Sequence, residues 1–150
     1  MNRSRLCIFI LTCCCIISGC FQKQIIAEIA TARGLVFKVR ADFYDDGIGI
    51  PLDFQVIDSG GTLRDGGGIL VVDSSRLAKL SFSVYEADDG KIIGLYENEK
   101  PDIILAIVDI SNEIVFPSGK EIEPPDFFRM RDEALQRLRS KVGRDLTILR

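Results

Sequence analysis

The chain has 150 residues, of which 19 are basic and 22 acidic, giving a net charge of −3, and it contains no histidine and no tryptophan. Without imidazole, the Ser-His-Asp and Cys-His nucleophile systems are excluded, and the common histidine-dependent zinc and copper sites are disfavoured. The negative charge argues against a general binder of nucleic acid or of anionic membranes, and the sequence predicts no nucleic-acid partner.

The first 19 residues have the layout of a secretory signal. Arg3 and Arg5 precede an apolar run over residues 6–17 that only Thr12 interrupts. As a helix, these twelve residues would be about 18 Å long, whereas the hydrocarbon core of a bilayer is about 30 Å thick. The run is therefore too short for a comfortable membrane span, and the sequence predicts a cleaved export signal over residues 1–19.

The residues Ile17-Ser18-Gly19-Cys20, at the end of the apolar run, resemble a lipobox, the processing site of bacterial lipoproteins. The resemblance implies diacylglyceryl transfer to the Cys20 thiol, cleavage before Cys20 and acylation of the new amino terminus. An aspartate after the cysteine commonly favours inner-membrane retention in Gram-negative lipoproteins. This chain has Phe21 there, so the resemblance favours the outer membrane, facing the periplasm, if the organism has one. The alternative is an ordinary secretory signal in which Cys20 is incidental.

All five cysteines lie in the signal or directly after it, and the mature chain keeps only Cys20. The mature domain therefore has no internal disulfide, no thiolate nucleophile and no cysteine metal site. Its 131 residues carry a net charge of −5 and suffice for one domain with a core. We predict a short anchor segment, 20–33, followed by a single globular β-rich domain, 34–150. Residues 22–33 are compatible with a first strand or a short helix.

Alternating apolar and polar residues predict strands along most of the mature chain. In residues 35–44, for example, the apolar side chains fall on one face, while Lys38, Arg40 and Asp42 fall on the other. The predicted strands cover residues 35–44, 52–56, 69–72, 79–85, 92–96, 103–110 and 114–116. Asp-Gly and Gly-rich sequences separate these runs, as tight hairpin turns require. The Gly-rich residues 59–68 lack the parts of a phosphate-binding loop, and we expect a mobile loop there.

One amphipathic helix is predicted near the C-terminus. Asp126 can cap it, Gly143 can end it, and apolar residues between them repeat at helical spacing. Arg131 lies near the middle of the apolar stripe. Its side chain could pair with a carboxylate of the sheet or with an acidic partner protein. We favour a third alternative, in which the side chain extends past the edge of the core. The fold class is therefore α+β, with an antiparallel β-sheet or sandwich-like core and one C-terminal amphipathic helix.

Two Asp-Asp-Gly triplets are the feature most open to a metal-binding interpretation. Asp45 and Asp46 stand in the first triplet, and Asp88 and Asp89 in the second. Four carboxylates brought together would suit calcium, which prefers several oxygen ligands. Neither triplet has the spacing of an EF-hand loop, and hairpin turns use the same residues, so we favour turns. No catalytic residue and no cofactor are assigned.

The sequence thus predicts a non-enzymatic binding or accessory domain, anchored in the bacterial envelope by lipid on Cys20. The membrane is one expected partner, and another envelope protein is the most plausible second. Two alternatives stay open. A carboxylate-dependent enzyme would bring Asp or Glu residues together in a pocket, and a calcium-stabilised module would gather the two Asp-Asp pairs around one ion.

Overall fold

The computed structural model describes residues 23–43, 49–58, 60–61, 63–120 and 123–150. Cys20, Asp45 and Asp46 lie outside these residues. In the described part of the chain, no helix is both long and apolar enough to cross a bilayer.

Four antiparallel strands form the first sheet, in the same order as in the sequence. They are β1 (Gln24–Ala30), β2 (Val36–Ala41), β3 (Ile50–Ile57) and β4 (Leu63–Val72). The predicted alternation is confirmed, because Phe37, Val39 and Ala41 are buried on the inner face while Arg40 lies on the outer face among ion pairs. This sheet therefore buries one side only.

Five strands form the second sheet. They are β5 (Phe82–Ala87), β6 (Ile92–Glu97), β7 (Ile103–Asp109), β8 (Ile114–Phe116) and β9 (Thr147–Ile148). β5 to β8 are antiparallel neighbours, whereas β9 pairs with the start of β7 in parallel. A register shift lies opposite Leu95 and Tyr96, and Leu105 is the extra residue. Both Leu105 and Ala106 consequently pack into the core between the sheets.

A short helix that the sequence analysis does not predict connects the two sheets. α1 (Ser74–Leu77) begins after Asp73, whose side chain accepts a hydrogen bond from the Arg76 backbone N–H. The Arg76 guanidinium then donates two hydrogen bonds, of 2.9 and 2.7 Å, to the carboxylate of Glu97 at the end of β6. The Glu97 side chain is only 3% exposed, so this ion pair fixes the connection against the second sheet.

The predicted C-terminal helix is confirmed as α2 (Phe127–Val142). Gly143 ends it with φ +70°, as expected, but the Asp126 side chain makes no capping hydrogen bond and lies 3.4 Å from the Arg129 guanidinium instead. α2 covers the outer face of the second sheet, where Leu138 is fully buried close to Gly94. The described residues therefore form three layers and two apolar cores, one between the sheets and one under the helix.

One sequence-based expectation needs correction. The stretch 59–68 is not a loop throughout, because β4 begins at Leu63 and runs through Gly66, Gly67 and Gly68. Of the first strand and the short helix that the sequence allows for residues 22–33, the structure has the strand. Residues 24–30 form β1, because the strand pairs with β2 and packs Ile26 and Ile29 against the core. With this change, the α+β fold with a sandwich-like core and one C-terminal amphipathic helix is confirmed.

Candidate functional site

The two sheets are joined by backbone hydrogen bonding where β4 meets the residues after β8. The Gly67 N–H donates to the Pro117 carbonyl at 2.7 Å, and Gly66 pairs with Ser118. A Cβ atom on Gly67 would lie 2.7 Å from the Ser118 carbonyl oxygen, so a larger residue would push the strands apart. Glycine at this position therefore permits the closure, which holds the segment after β8 against the first sheet.

A cavity of about 500 Å³ opens beside this closure. Its apolar lining comes from β8, the segment before α2 and the start of α2, namely Ile114, Val115, Pro124, Phe127 and Met130. Its charged lining comes from β4, the β7–β8 turn and the segment before α2, namely Arg64, Asp65, Glu113, Lys120 and Glu123. An apolar cleft with a few polar groups is the usual form of a binding site in proteins.

An aromatic cluster adjoins the cavity at the first turns of α2. Phe127 lies edge-on to Phe128, with ring centroids 5.4 Å apart, and contacts Phe116 of β8 at 6.2 Å. The Arg131 guanidinium lies 5.1 Å from the centroid of Phe116 and 5.0 Å from that of Phe128. We call Phe116, Phe128 and Arg131 the arginine–aromatic cluster. Cations over ring faces are attracted by the ring quadrupole, so the cluster holds Phe128 in place although its side chain is exposed.

The position of Arg131 resolves the alternatives that the sequence leaves open. Its side chain is only 15% exposed and its guanidinium lies between the Phe116 and Phe128 rings, so it does not extend past the edge of the core as the sequence leads us to expect. It forms an ion pair with the neighbouring Asp132 on the helix, at 2.6 Å. Only the Asp132 side chain of this pair is exposed.

Asp88 and Asp89 lie in the hairpin turn between β5 and β6, as the turn interpretation predicts. Their φ angles are +50° and +56°, in the left-handed region that Asp tolerates in tight turns. The Asp88 carboxylate accepts a hydrogen bond from Arg137 of α2 at 3.0 Å, so a basic side chain already neutralises it. Among the described residues there is no group of three or more His, Cys, Asp or Glu side chains suited to a metal ion.

Among the residues that the structure describes, three ionisable groups have shifted pKa values, and none of the three lines the cavity. Hydrogen bonds from the Ser75 hydroxyl and the Arg76 backbone N–H lower the pKa of Asp73. Burial raises the pKa of Tyr85, whose ring stacks on Tyr96 at 4.1 Å. Hydrogen bonding and charge attraction from Glu133 raise the pKa of Arg129. These shifts belong to a helix cap, a packed tyrosine pair and a surface ion pair, and they indicate structural roles.

The sequence analysis does not identify the cavity or the arginine–aromatic cluster. The cavity is built from segments far apart in the chain, and no motif marks them. Phe128 gives no usable signal, because it lies seven residues before the buried Leu135 and therefore at the edge of the apolar stripe of α2, where the helical pattern predicts a core residue.

No protein family, curated protein or solved structure matches this chain.

Proposed function

We propose that this chain is a lipid-anchored protein of the bacterial envelope, and that its folded domain binds another envelope protein without catalysing a reaction. The lipobox-like residues 17–20 and the short apolar run before them support the anchor. Phe21, which stands where inner-membrane retention commonly requires Asp, supports the periplasmic face of an outer membrane.

The observation that carries the binding proposal is the exposure of Phe128. Its side chain is 59% exposed, although it is held between Arg131 and Phe127 beside the cavity. Aromatic and arginine side chains dominate the binding energy of many protein interfaces, and a pre-ordered side chain loses little conformational entropy on binding. An exposed aromatic residue next to an apolar cleft is therefore the best candidate on this molecule for the centre of an interface.

The test is affinity capture from detergent-solubilised membranes of the native organism, using the lipidated chain with a C-terminal tag. We compare the wild-type protein with Phe128→Ala and with Val71→Ala, which removes an equally exposed apolar side chain from β4. We expect one envelope protein at near-stoichiometric yield with the wild type and the Val71 variant, and at least about tenfold less with Phe128→Ala, since hot-spot truncations cost roughly 2 kcal/mol or more.

Equal recovery with all three proteins would exclude Phe128 as the centre of the interface. The anchor is tested separately with Cys20→Ser, which should leave the membrane fraction. If that variant stays in the membrane fraction, the lipid anchor is wrong.

A carboxylate-dependent enzyme is the second candidate, because Asp65, Glu113 and Glu123 all belong to the cavity lining. Paired carboxylates can act as general acid and base when they face one substrate. Under this hypothesis, Glu113→Gln and Glu123→Gln would abolish hydrolysis of envelope glycosides while leaving partner capture unchanged. A wild-type protein that hydrolyses none of these substrates would argue against the enzyme.

A further inference from the structure

Three exposed apolar side chains lie at one end of the first sheet. Ile25 is 45% exposed, Phe43 48% and Val71 58%. Ile25 lies near the start of β1, Phe43 follows the end of β2, and Val71 lies near the end of β4. Because neighbouring strands are antiparallel, these three positions share the same end of the sheet. We call them the apolar rim.

The strand register gives the direction of two of these side chains. Ile25 pairs with Arg40, whose side chain lies on the outer face of the sheet. Val71 pairs with the exposed Pro51, next to the buried Leu52 that faces the core. Directly paired residues share a face, so Ile25 and Val71 both point outward. Neither side chain packs into the core between the sheets.

The apolar rim is also the end of the sheet from which the chain leads back to Cys20. β1 begins at Gln24, and the ammonium group of Lys23 is hydrogen-bonded to the Asp53 carboxylate on β3. The three residues from Cys20 to Lys23 span at most about 11 Å, even when fully extended. This step rests on the proposed lipidation, and it then confines the apolar rim to the immediate neighbourhood of the membrane surface.

Asp42 and Asp73 are acidic residues at this end of the sheet, and the carboxylate of Asp53, a third one, is already paired with basic side chains. The Asp53 carboxylate receives two cations, the Lys23 ammonium and the Arg40 guanidinium, the latter at 2.6 Å. The Asp53 side chain is only 14% exposed. Phospholipid phosphates therefore meet a carboxylate that is already paired with two basic groups.

We infer that the apolar rim lies in the headgroup region of the phospholipid bilayer that holds the Cys20 lipid. Apolar side chains beside a lipid anchor add to membrane affinity and restrict the orientation of the domain. The first sheet then stands with its rim on the membrane. α2 and the arginine–aromatic cluster, which lie beyond the second sheet, stay in the aqueous phase.

The test measures the depth of two labels in the lipidated protein, reconstituted into phosphatidylethanolamine–phosphatidylglycerol vesicles. Cys20 is the single cysteine of the mature chain, and lipid blocks its thiol, so Val71→Cys provides one reactive thiol for a fluorophore. Phe128→Cys provides the matched control on α2. We expect lipids brominated on the acyl chains to quench the label at position 71 by about half or more, since interfacial apolar groups lie roughly 5–10 Å into the headgroup–acyl boundary. The label at position 128 should respond only to aqueous iodide.

Each outcome decides a separate point. If the protein floats with the vesicles but lipid does not quench the label at position 71, the contact between the apolar rim and the membrane is wrong and the lipid anchor is supported. If the protein does not float with the vesicles, both the contact and the anchor are wrong. A label at position 71 that neither lipid nor iodide quenches indicates a second protein copy over the rim, and also overturns the inference. Ile25→Cys is the second probe for the same contact, and it should be quenched as strongly as Val71→Cys.

Discussion

The two sheets differ in how many of their faces are buried. The first sheet buries only its inner face, and its outer face carries ion pairs such as Lys38–Glu28 at 3.2 Å and Arg40–Asp53. The second sheet is buried on both faces, because α2 covers the side that the first sheet does not. β7 accordingly has six consecutive buried residues from Ile104 to Asp109, whereas β2 alternates residue by residue. The number of covered faces, rather than the strand itself, decides the pattern in the sequence.

The largest expected effect tests whether the helix layer is essential to the second sheet. Leu138→Ala removes a fully buried side chain between α2 and Gly94. We expect the free energy of unfolding to fall by about 3 kcal/mol, because the substitution leaves a cavity in a small core. Leu149→Ala, at a position 36% exposed, is the control and should cost less than about 1 kcal/mol. Similar losses in the two variants, measured by urea denaturation, would contradict the second core.

The first sheet has a position, Gly66, at which the core leaves no room for a larger side chain. A Cβ atom on Gly66 would lie 2.1 Å from the ring of the fully buried Phe54. Gly66→Ala should therefore cost about 2 kcal/mol, since overpacking forces side chains or backbone to shift. Gly68→Ala in the same strand is the matched control, because the atom nearest to its new Cβ is 3.9 Å away. Equal melting temperatures for these two variants would show that Phe54 does not pack on Gly66.

The ion pair at the link between the sheets should have a smaller, measurable effect. Arg76→Met leaves the Glu97 carboxylate buried without its cation, and we expect a loss of about 1–2 kcal/mol, discounted because the Arg76 side chain is 32% exposed. The double variant Arg76→Met/Glu97→Leu removes both charges and should recover part of that loss. A double variant less stable than Arg76→Met alone would indicate that the pair itself, rather than the isolated charge, dominates.

The smallest effect is expected on the outer face of the first sheet. Glu28→Gln breaks the ion pair with Lys38, in which the Glu28 side chain is 53% exposed. The expected cost is about 0.5 kcal/mol or less, and it should vanish in high salt because water and ions screen exposed pairs. A loss above 1 kcal/mol that persists in high salt would mean that the outer face contributes to stability as the cores do.

Much of this fold follows from the sequence, and the exceptions have identifiable physical causes. The alternation over β2 and β3 and the apolar run of β7 predict strands because each pattern reflects a constant environment along the strand. The sequence predicts a loop at the glycines of β4, because glycine is typical of turns. In the structure these glycines leave room for the Phe54 ring and the Ser118 carbonyl, which are contacts with residues distant in the sequence. α1 is a single turn, too short for a periodic signal.

The candidate site was less predictable than the fold. Its cavity joins β4, the β7–β8 turn and the start of α2, which are far apart in the sequence. This arrangement depends on the closure between Gly67 and Pro117, which no local sequence pattern predicts. The position of Arg131 near the middle of the stripe of α2 carries no information about the Phe116 and Phe128 rings on either side of it.

The parallel pairing of β9 with β7 has a consequence for biosynthesis. The start of β7 gains a neighbour on this edge only when Thr147 and Ile148 reach it, after the whole of α2 has been made. The Arg139 side chain holds the connecting segment through the Leu146 carbonyl at 2.6 Å. A nascent chain that lacks these residues leaves a strand edge uncovered. The second sheet is therefore completed late in synthesis, once β9 has followed α2.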